Sequence, residues 1–277
     1  MAEIPSTARV VIIGGGVVGV SVLYHLAKMG WSDCVLLEKN ELTSGSTWHA
    51  AGNCPTFSAS WSVMNMQRYS TELYRGLADE VDYPMNYHVT GSIRLAHNKN
   101  RMLEFERVMS MGRYQNIPME MCSNDDLKQH YPFLETHDLE GGLYDPTDGD
   151  IDPAQLCQAL ARRARKAGAE VYRHTPVTGL KQHADDTWTV ETTKGNIDCD
   201  VVINACGYRV NEVGAMMGVH HPVMSMEHQY MLTDTIPDIE NADHRMPLLR
   251  CPISDYYCRQ EKNGLLVGFY EQDCRTW

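Results

Sequence analysis

Val10-Val11-Ile12-Ile13-Gly14-Gly15-Gly16-Val17-Val18-Gly19-Val20 decides the fold, together with the Val35-Leu36-Leu37-Glu38 that follows it. Its first four residues are apolar and β-branched, the pattern of a strand buried on both faces. Gly14 to Gly19 make a turn, and Val20, Leu23, Leu26 and Ala27 then recur at helical spacing until Gly30 stops the helix. The second apolar run ends on an acid. Strand, glycine turn, helix and strand-ending acid in this register form a dinucleotide-binding start. Gly14 permits the tight turn, Gly16 lets backbone approach a pyrophosphate, and Gly19 lets helix and strand pack closely. The helix N-terminus at Val17 and Val18 attracts phosphate. Glu38 is placed to accept hydrogen bonds from a ribose hydroxyl, and an acid there disfavours a 2′-phosphate.

The 277 residues are enough for one large or two interleaved domains, with 43% apolar and 22% charged residues as in ordinary globular chains. A net charge of −12 argues against nucleic-acid binding as a main function. Nine cysteines stand singly, without the paired spacing of a zinc or redox motif, and no histidine spacing suggests a metal site. Their odd number, with no secretory pattern at the N-terminus, leads to the expectation of a reducing, cytoplasmic location. The longest apolar run is interrupted by glycines and too short to span a bilayer.

Beyond Glu38 a polar loop, Leu42-Thr43-Ser44-Gly45-Ser46-Thr47, leads into Trp48-His49-Ala50-Ala51-Gly52. Val63, Met66, Tyr69, Leu73, Leu77 and Val81 mark a long amphipathic helix. Tyr87 to Leu95 alternates like a half-exposed strand, 98–114 reads as helix, and 145–153 is a turn-rich acidic junction. Pro153 opens another helix with Leu156, Leu160, Ala164 and Ala167 on its apolar face. Short strands follow, and Val201-Val202-Ile203-Asn204 returns to a buried sheet. Later, 228–232, 256–259 and 265–269 alternate. The expected fold is α/β, a Rossmann-type dinucleotide-binding domain (1–82 and 146–214) interleaved with a mainly antiparallel substrate domain (83–145 and 215–277).

FAD and NAD share the glycine fingerprint. A nicotinamide enzyme continues with further βα units, whereas this chain enters a Ser/Thr/Gly loop, a long helix and a β-rich region. Val201 to Gly207 resembles the strand-to-glycine element by which FAD proteins return to the flavin. Val177 lies in antiparallel strands of the kind placed near the adenine. A histidine delivered eleven residues after Glu38 is a candidate for a covalent bond to a flavin.

More specific strings run along the chain: Val35-Leu36-Leu37-Glu38-Lys39-x-Glu41-Leu42-Thr43-x-Gly45-Ser46-Thr47-Trp48-His49-Ala50-Ala51-Gly52, Gly91-Ser92-Ile93-Arg94-Leu95, Asp148-Gly149-x-x-Asp152-Pro153, Glu227-His228-Gln229-Tyr230 and Tyr256-Tyr257-x-Arg259-Gln260-Glu261-x-x-Gly264-Leu265-Leu266. With these the chain resembles the N-terminal FAD domain of the dimethylglycine dehydrogenase and sarcosine dehydrogenase group, within the D-amino-acid-oxidase-like superfamily. The resemblance implies FAD-dependent oxidative N-demethylation of a small N-methylated amino acid by hydride transfer to flavin. It implies an 8α-linkage to FAD through His49 and catalytic roles for His228 and Tyr257, both on strands of the substrate sheet. Lys39, Gly45, Ser46, Thr47, Ala50, Ala51, Gly52, Gly207 and Arg209 would add flavin contacts. Arg209 stands where the group has a tryptophan. The acceptor would be oxygen or an electron-transfer flavoprotein. Members of the group continue with a tetrahydrofolate-binding region, so a chain stopping at Trp277 is expected to lack that region and the closing part of the FAD fold. The substrate carboxylate needs a cation, and Arg94, Arg250 and Arg259 are all in the right region. Alternatives are a related FAD-dependent amine or D-amino acid oxidase, and a non-catalytic flavoprotein fragment.

Overall fold

The structure, a computed structural model, describes residues 3–277. In chain order the elements begin β1 (Thr7–Ile13), α1 (Val17–Lys28), β2 (Cys34–Leu37), β3 (Asn53–Cys54), α2 (Trp61–Val81), β4 (Tyr87–His88), β5 (Ser92–Ala96) and α3 (Lys99–Tyr114). They continue β6 (Glu120–Cys122), α4 (Asn124–His130), β7 (Gly141–Asp145), β8 (Gly149–Ile151), α5 (Pro153–Lys166), β9 (Glu170–Tyr172), β10 (Val177–Gln182), β11 (Trp188–Thr192) and β12 (Gly195–Asn204). The last are α6 (Val210–Ala215), β13 (Tyr230–Leu232), α7 (Pro237–Glu240), β14 (Leu248–Cys251), β15 (Tyr256–Glu261) and β16 (Gly264–Phe269). No helix among the described residues is long and apolar enough to cross a membrane.

Two compact units divide the chain: 1–50, 77–85 and 152–225 form one, and 51–76, 86–151 and 226–277 the other. The sequence places 51–76 with the dinucleotide domain. In the structure β3 instead pairs with β8, and Met64 of α2 packs with Ala96, Phe105 and Leu143, so this stretch joins the second unit. Residues 215–225 join the first, where the Val219 amide donates to the Gly214 carbonyl and the His221 amide to Asn211.

The first unit is built on a six-stranded sheet in the order β10-β11-β12-β1-β2-β9. β12, β1, β2 and β9 run parallel, with Val10, Val11 and Ile12 paired to both β12 and β2. Val10–Ile13 of β1 and Cys34–Leu37 of β2 are buried at every position, as in parallel strands covered on both faces. The sequence suggests a short final strand at 201–204, whereas β12 is one continuous strand that pairs antiparallel with β11 and parallel with β1. Asp152 caps α5, accepting from the Ala154 and Gln155 amides with Pro153 in the first turn. No side chain on Gly16 can cap α1; the Val17 amide donates instead to Thr47 Oγ1 at 2.9 Å, thirty residues away.

The second unit holds a seven-stranded sheet in the order β13-β16-β15-β14-β5-β7-β6, antiparallel except for β14 with β5, and a small sheet β3-β8-β4. The single strand expected over 87–95 is two strands in different sheets, because Gly91 turns the chain at a φ of 79°. Ile93, Leu95, Leu249, Cys251 and Cys258 pack on one face of the large sheet with Leu127 and Tyr131. At the start of β5 a buried polar network replaces oil. Asp148 accepts from the Thr56 amide (2.7 Å) and Ser92 Oγ (2.5 Å), Asp145 accepts from Thr56 Oγ1 and Thr147, and Thr56 Oγ1 also lies 2.9 Å from Asp148 Oδ1. Burial, and then the charge of Asp145, push the Asp148 carboxyl up to about 7.

Two outcomes follow from these contacts. Because Asp148 holds its proton more tightly folded than unfolded, its contribution to stability is full at acid pH and is lost as pH rises toward 7. Most of that loss falls between about pH 5 and about pH 8. Calorimetric melting should therefore show Asp148→Asn losing less stability than the wild type over this interval; parallel curves would refute the assignment. Separately, Thr47→Val removes the distant cap of α1 and should lower the urea unfolding free energy by about 1 kcal/mol, whereas Thr47→Ser should recover most of it.

Candidate functional site

The parallel strands of the first unit end together. The Gly14 amide donates to the Leu37 carbonyl (2.9 Å) and the Ala205 amide to the Ile13 carbonyl (2.8 Å), so β1, β2 and β12 stop at one level. Beyond their carboxyl ends lies a cavity of about 460 Å³, where ligands of open α/β sheets bind. Gly14, Gly16, Val17 and Val18 line it from the first turn, Glu38 and Lys39 from the end of β2, and Gly45, Ser46, Thr47 and Ala50 from the polar loop. Val177, Gly207 and Arg209 complete the sequence-derived set found there.

The residues fit an FAD. A Cβ on Gly14 would lie 2.5 Å from the Ala205 carbonyl oxygen, and one on Gly19 2.0 Å from that of Gly14. Those two glycines serve the packing of the turn. A Cβ on Gly16 would meet only Thr47 Oγ1, at 3.1 Å, so that glycine keeps open the floor of the cavity at the positive end of α1. Glu38 Oε2 accepts from the Gly15 amide (2.7 Å) and Oε1 from the Asn40 amide (2.8 Å). Both bonds fix the carboxylate, and each oxygen retains a lone pair for a ribose hydroxyl. Arg209 is ion-paired with Glu212 at 2.5 Å.

Other sequence-derived residues are placed differently. His49 is exposed in the turn after Thr47 and does not line the cavity, although its neighbour Ala50 does. Gly19 lies below the cavity, within α1. Ala51 and Gly52 belong to the second unit, where the Ala51 carbonyl accepts from Arg259 Nε at 2.6 Å and Gly52 lies against the Ile151 backbone. Thr175, Pro176, Tyr208 and Met216 line the cavity without having been singled out in the sequence, and Ala205 and Cys206 line it from within the 201–207 element read there as a return to the flavin. Ala205 and Cys206 directly follow a parallel strand, and that position was the available signal. Burial pushes the Cys206 thiol up to about 11, which keeps it protonated and unreactive.

In the second unit His228 and Tyr257 come together through Tyr270. The Tyr270 ring centroid lies 5.3 Å from that of His228 and 5.6 Å from that of Tyr257. His228 precedes β13 and is not on a strand, contrary to the sequence expectation; only Tyr257 is, in β15. His228 Nδ1 lies 3.1 Å from Glu271 Oε2. Glu271's own backbone amide and then His228 hold that carboxyl below its usual range. Burial, followed by Tyr270 and Tyr230, raises the Tyr257 phenol, so it stays a hydrogen-bond donor at neutral pH.

Comparison with known proteins adds to this geometry. The chain is 43% identical over 264 residues to the mitochondrial dimethylglycine dehydrogenase of Mus musculus, a match covering 95% of this chain and 30% of that protein. It is 38% identical over 280 residues to the mitochondrial sarcosine dehydrogenase of Homo sapiens, covering 99% and 30% respectively. The chain thus spans about 30% of the length of these relatives. Among solved structures it is similar to L-proline dehydrogenase from P. horikoshii, with a TM-score of 0.86 and 25% identity over 96% of this chain and 70% of that one. The model of the FAD dependent oxidoreductase family matches residues 9–277, through the fingerprint, the cavity and the His228–Tyr257 cluster alike, and the chain belongs to that family.

Proposed function

We propose that this chain carries out the FAD-dependent oxidative N-demethylation of a small N-methylated amino acid of the dimethylglycine or sarcosine type. One observation carries the reading. The chain that holds the dinucleotide cavity and the His228–Tyr270–Tyr257 cluster is 43% identical, over nearly all its length, to a dimethylglycine dehydrogenase. When bound, FAD supplies a two-electron acceptor for the hydride of an N-methyl group.

The protein's own tasks are binding, orientation and proton handling. Glu38 takes a ribose hydroxyl, and the N-terminus of α1 with Gly16 and Thr47 takes the pyrophosphate. Such a substrate arrives largely as an ammonium zwitterion, and hydride leaves a neutral amine far more readily. Glu271 at Nδ1 favours the tautomer with its proton on that nitrogen, leaving Nε2 of His228 as acceptor for the ammonium proton. Tyr257, kept protonated, donates a hydrogen bond to the substrate. Loss of hydride leaves an iminium at the formaldehyde level, and water then releases the demethylated amine.

His49 is proposed to carry the flavin covalently. Its support is the Trp48-His49-Ala50-Ala51-Gly52 string and its place beside cavity-lining Ala50. If the intact protein has a tetrahydrofolate-binding region, the one-carbon unit would pass to that cofactor. Oxygen and an electron-transfer flavoprotein are the two acceptors to be assayed. A cytoplasmic location is proposed from the cysteine usage, the named relatives are mitochondrial, and fractionation of the source cells separates the two.

Purified protein should oxidise N,N-dimethylglycine or sarcosine with release of formaldehyde; exclusive turnover of unmethylated D-amino acids would overturn the reading. In acid-denatured protein the yellow colour should precipitate with the polypeptide and should be lost in His49→Ala. Colour that washes out of the native-sequence protein would remove the covalent claim while leaving the activity untouched.

A further inference from the structure

The second unit contains a cavity of about 350 Å³, within the range of small-molecule sites, and its charged lining is arginine alone: Arg94, Arg101 and Arg250. Strand register places two of these three. Arg94 on β5 pairs with Arg250 on β14, and Arg250 pairs with Tyr257 on β15. Paired residues share a face of a sheet. Arg94, Arg250 and Tyr257 therefore form one row across three strands, opposite the face where Ile93, Leu249 and Cys258 pack in the core. Arg250 also lies 6.0 Å from the Tyr270 ring that joins Tyr257 to His228. The arginine cavity and Tyr257 are thus neighbours on one surface of one sheet, and His228 is reached from there through Tyr270.

Arg94 is only 7% exposed, and its Nε has no hydrogen-bond partner among the described residues. Its guanidinium lies 4.0 Å over the Phe57 ring, which fixes the plane of the fork. A buried guanidinium with an unmet donor is costly unless something meets it. Asp145 and Asp148 act on it by charge but spend hydrogen bonds on Thr56, Ser92 and Thr147. Burial and the like charge of Arg250 lower the Arg94 guanidinium to about 10, the reverse of what an anionic partner would do. Gln67, also in the lining, has an unpartnered Oε1, and turning its amide presents an NH2 to the same space.

The other candidates are already committed. Arg101 is ion-paired with Glu104. Arg259 donates to the carbonyls of Ala51 and Gln260 and pairs with Glu261 and Asp150.

We propose that Arg94 and Arg250 together seat the carboxylate of the amino acid substrate, an inference that rests on the demethylation reading for the identity of its ligand. The row of side chains then orders the substrate: carboxylate at the two arginines, amine toward Tyr257 and His228. Charge at the far end of the substrate becomes a selection rule, with N-methyl amino acids bound more tightly than N-methyl amines lacking a carboxylate.

The test is calorimetric titration of the purified protein with N,N-dimethylglycine and, in parallel, with N,N-dimethylethanolamine, in which a hydroxymethyl group replaces the carboxylate. Arg250→Met should weaken binding of N,N-dimethylglycine by about 10- to 100-fold, the size of one lost charge-assisted contact. Arg250→Lys should keep part of the affinity, and binding of the neutral-ended amine should not fall in either variant. Arg94→Met should act in the same direction; should its burial prevent folding, the Arg250 pair decides. Equal affinity of wild type and Arg250→Met for N,N-dimethylglycine, or no binding to the wild type, would overturn the proposal. Turnover is scored separately. Binding that follows the arginines in a protein that oxidises no N-methyl amine would reject the demethylation reading and keep the carboxylate site.

Discussion

The first unit depends on a close approach of backbone that only glycine allows. Gly19 lies so near the Gly14 carbonyl oxygen that a Cβ would stand 2.0 Å from it, and Gly14 in turn abuts Ala205. That contact draws the start of α1 down onto the ends of β1 and β12. With the Gly14 and Ala205 amides tied to Leu37 and Ile13, three parallel strands end in register, and the cavity is the space above them. A methyl at Gly19 would lift the helix and tilt its N-terminus away from that space. The chemical use of the fold therefore begins with a packing constraint, and the loop carrying Thr47 is held to the same helix end by the hydroxyl that accepts from Val17.

In the second unit the equivalent constraint is register. A strand slipped by one residue turns every side chain to the opposite face. The Asp148 network guards against this at the start of β5: the Asp148 carbonyl accepts from the Gly91 amide and its carboxylate from Ser92, while the Gly91 carbonyl accepts from Leu248 at the start of β14. Both strands are thus pinned at the same end, and Arg94 falls opposite Arg250. With a slip, Ile93 would enter the cavity and the arginine would be driven into the core of Leu249 and Cys258. An apolar face of Ile93, Leu95, Leu249 and Cys251, at about 1.5–3 kcal/mol for each fully buried large side chain, adds to the same choice.

These two constraints differ in how far the sequence displays them. The glycine fingerprint is local: spacing, strand and helix lie within thirty residues, so Gly14, Gly16, Val17 and Glu38 could be placed at the cavity from the string alone. Thr175 and Pro176 could not, since only the pairing of β9 with β2 brings the chain to that point, where the Thr175 amide reaches the Glu38 carbonyl. The three arginines illustrate the same limit. Arg94, Arg250 and Arg259 are equivalent in the sequence, and Arg259 shares the parity of Tyr257 on its own strand. It is set apart by bonds to Ala51, Asp150 and Glu261, partners as far as 208 residues away. His228 was legible as a residue but not as geometry. Alternation suggested a strand, whereas pairing begins only at Tyr230, and Glu271 gives the ring its orientation.

Gly268 gives up local propensity beside Tyr257, the tyrosine proposed to meet the substrate. A glycine inside β16 weakens the strand and offers no side chain to pack. Its partners in the ladder are Tyr257 on one side and Tyr230 on the other. A Cβ there would lie 2.1 Å from the Tyr257 ring and 2.3 Å from its hydroxyl, so the phenol leans directly over the glycine. The ring's tilt along the row is set by that missing side chain. A tyrosine held by ordinary cross-strand packing would stand upright on the sheet. The sequence gives up strand stability at Gly268, and what it obtains is the angle of one phenol. That exchange is expected where a side chain serves chemistry, because a position filled only for packing would have taken a β-branched residue in the glycine's place.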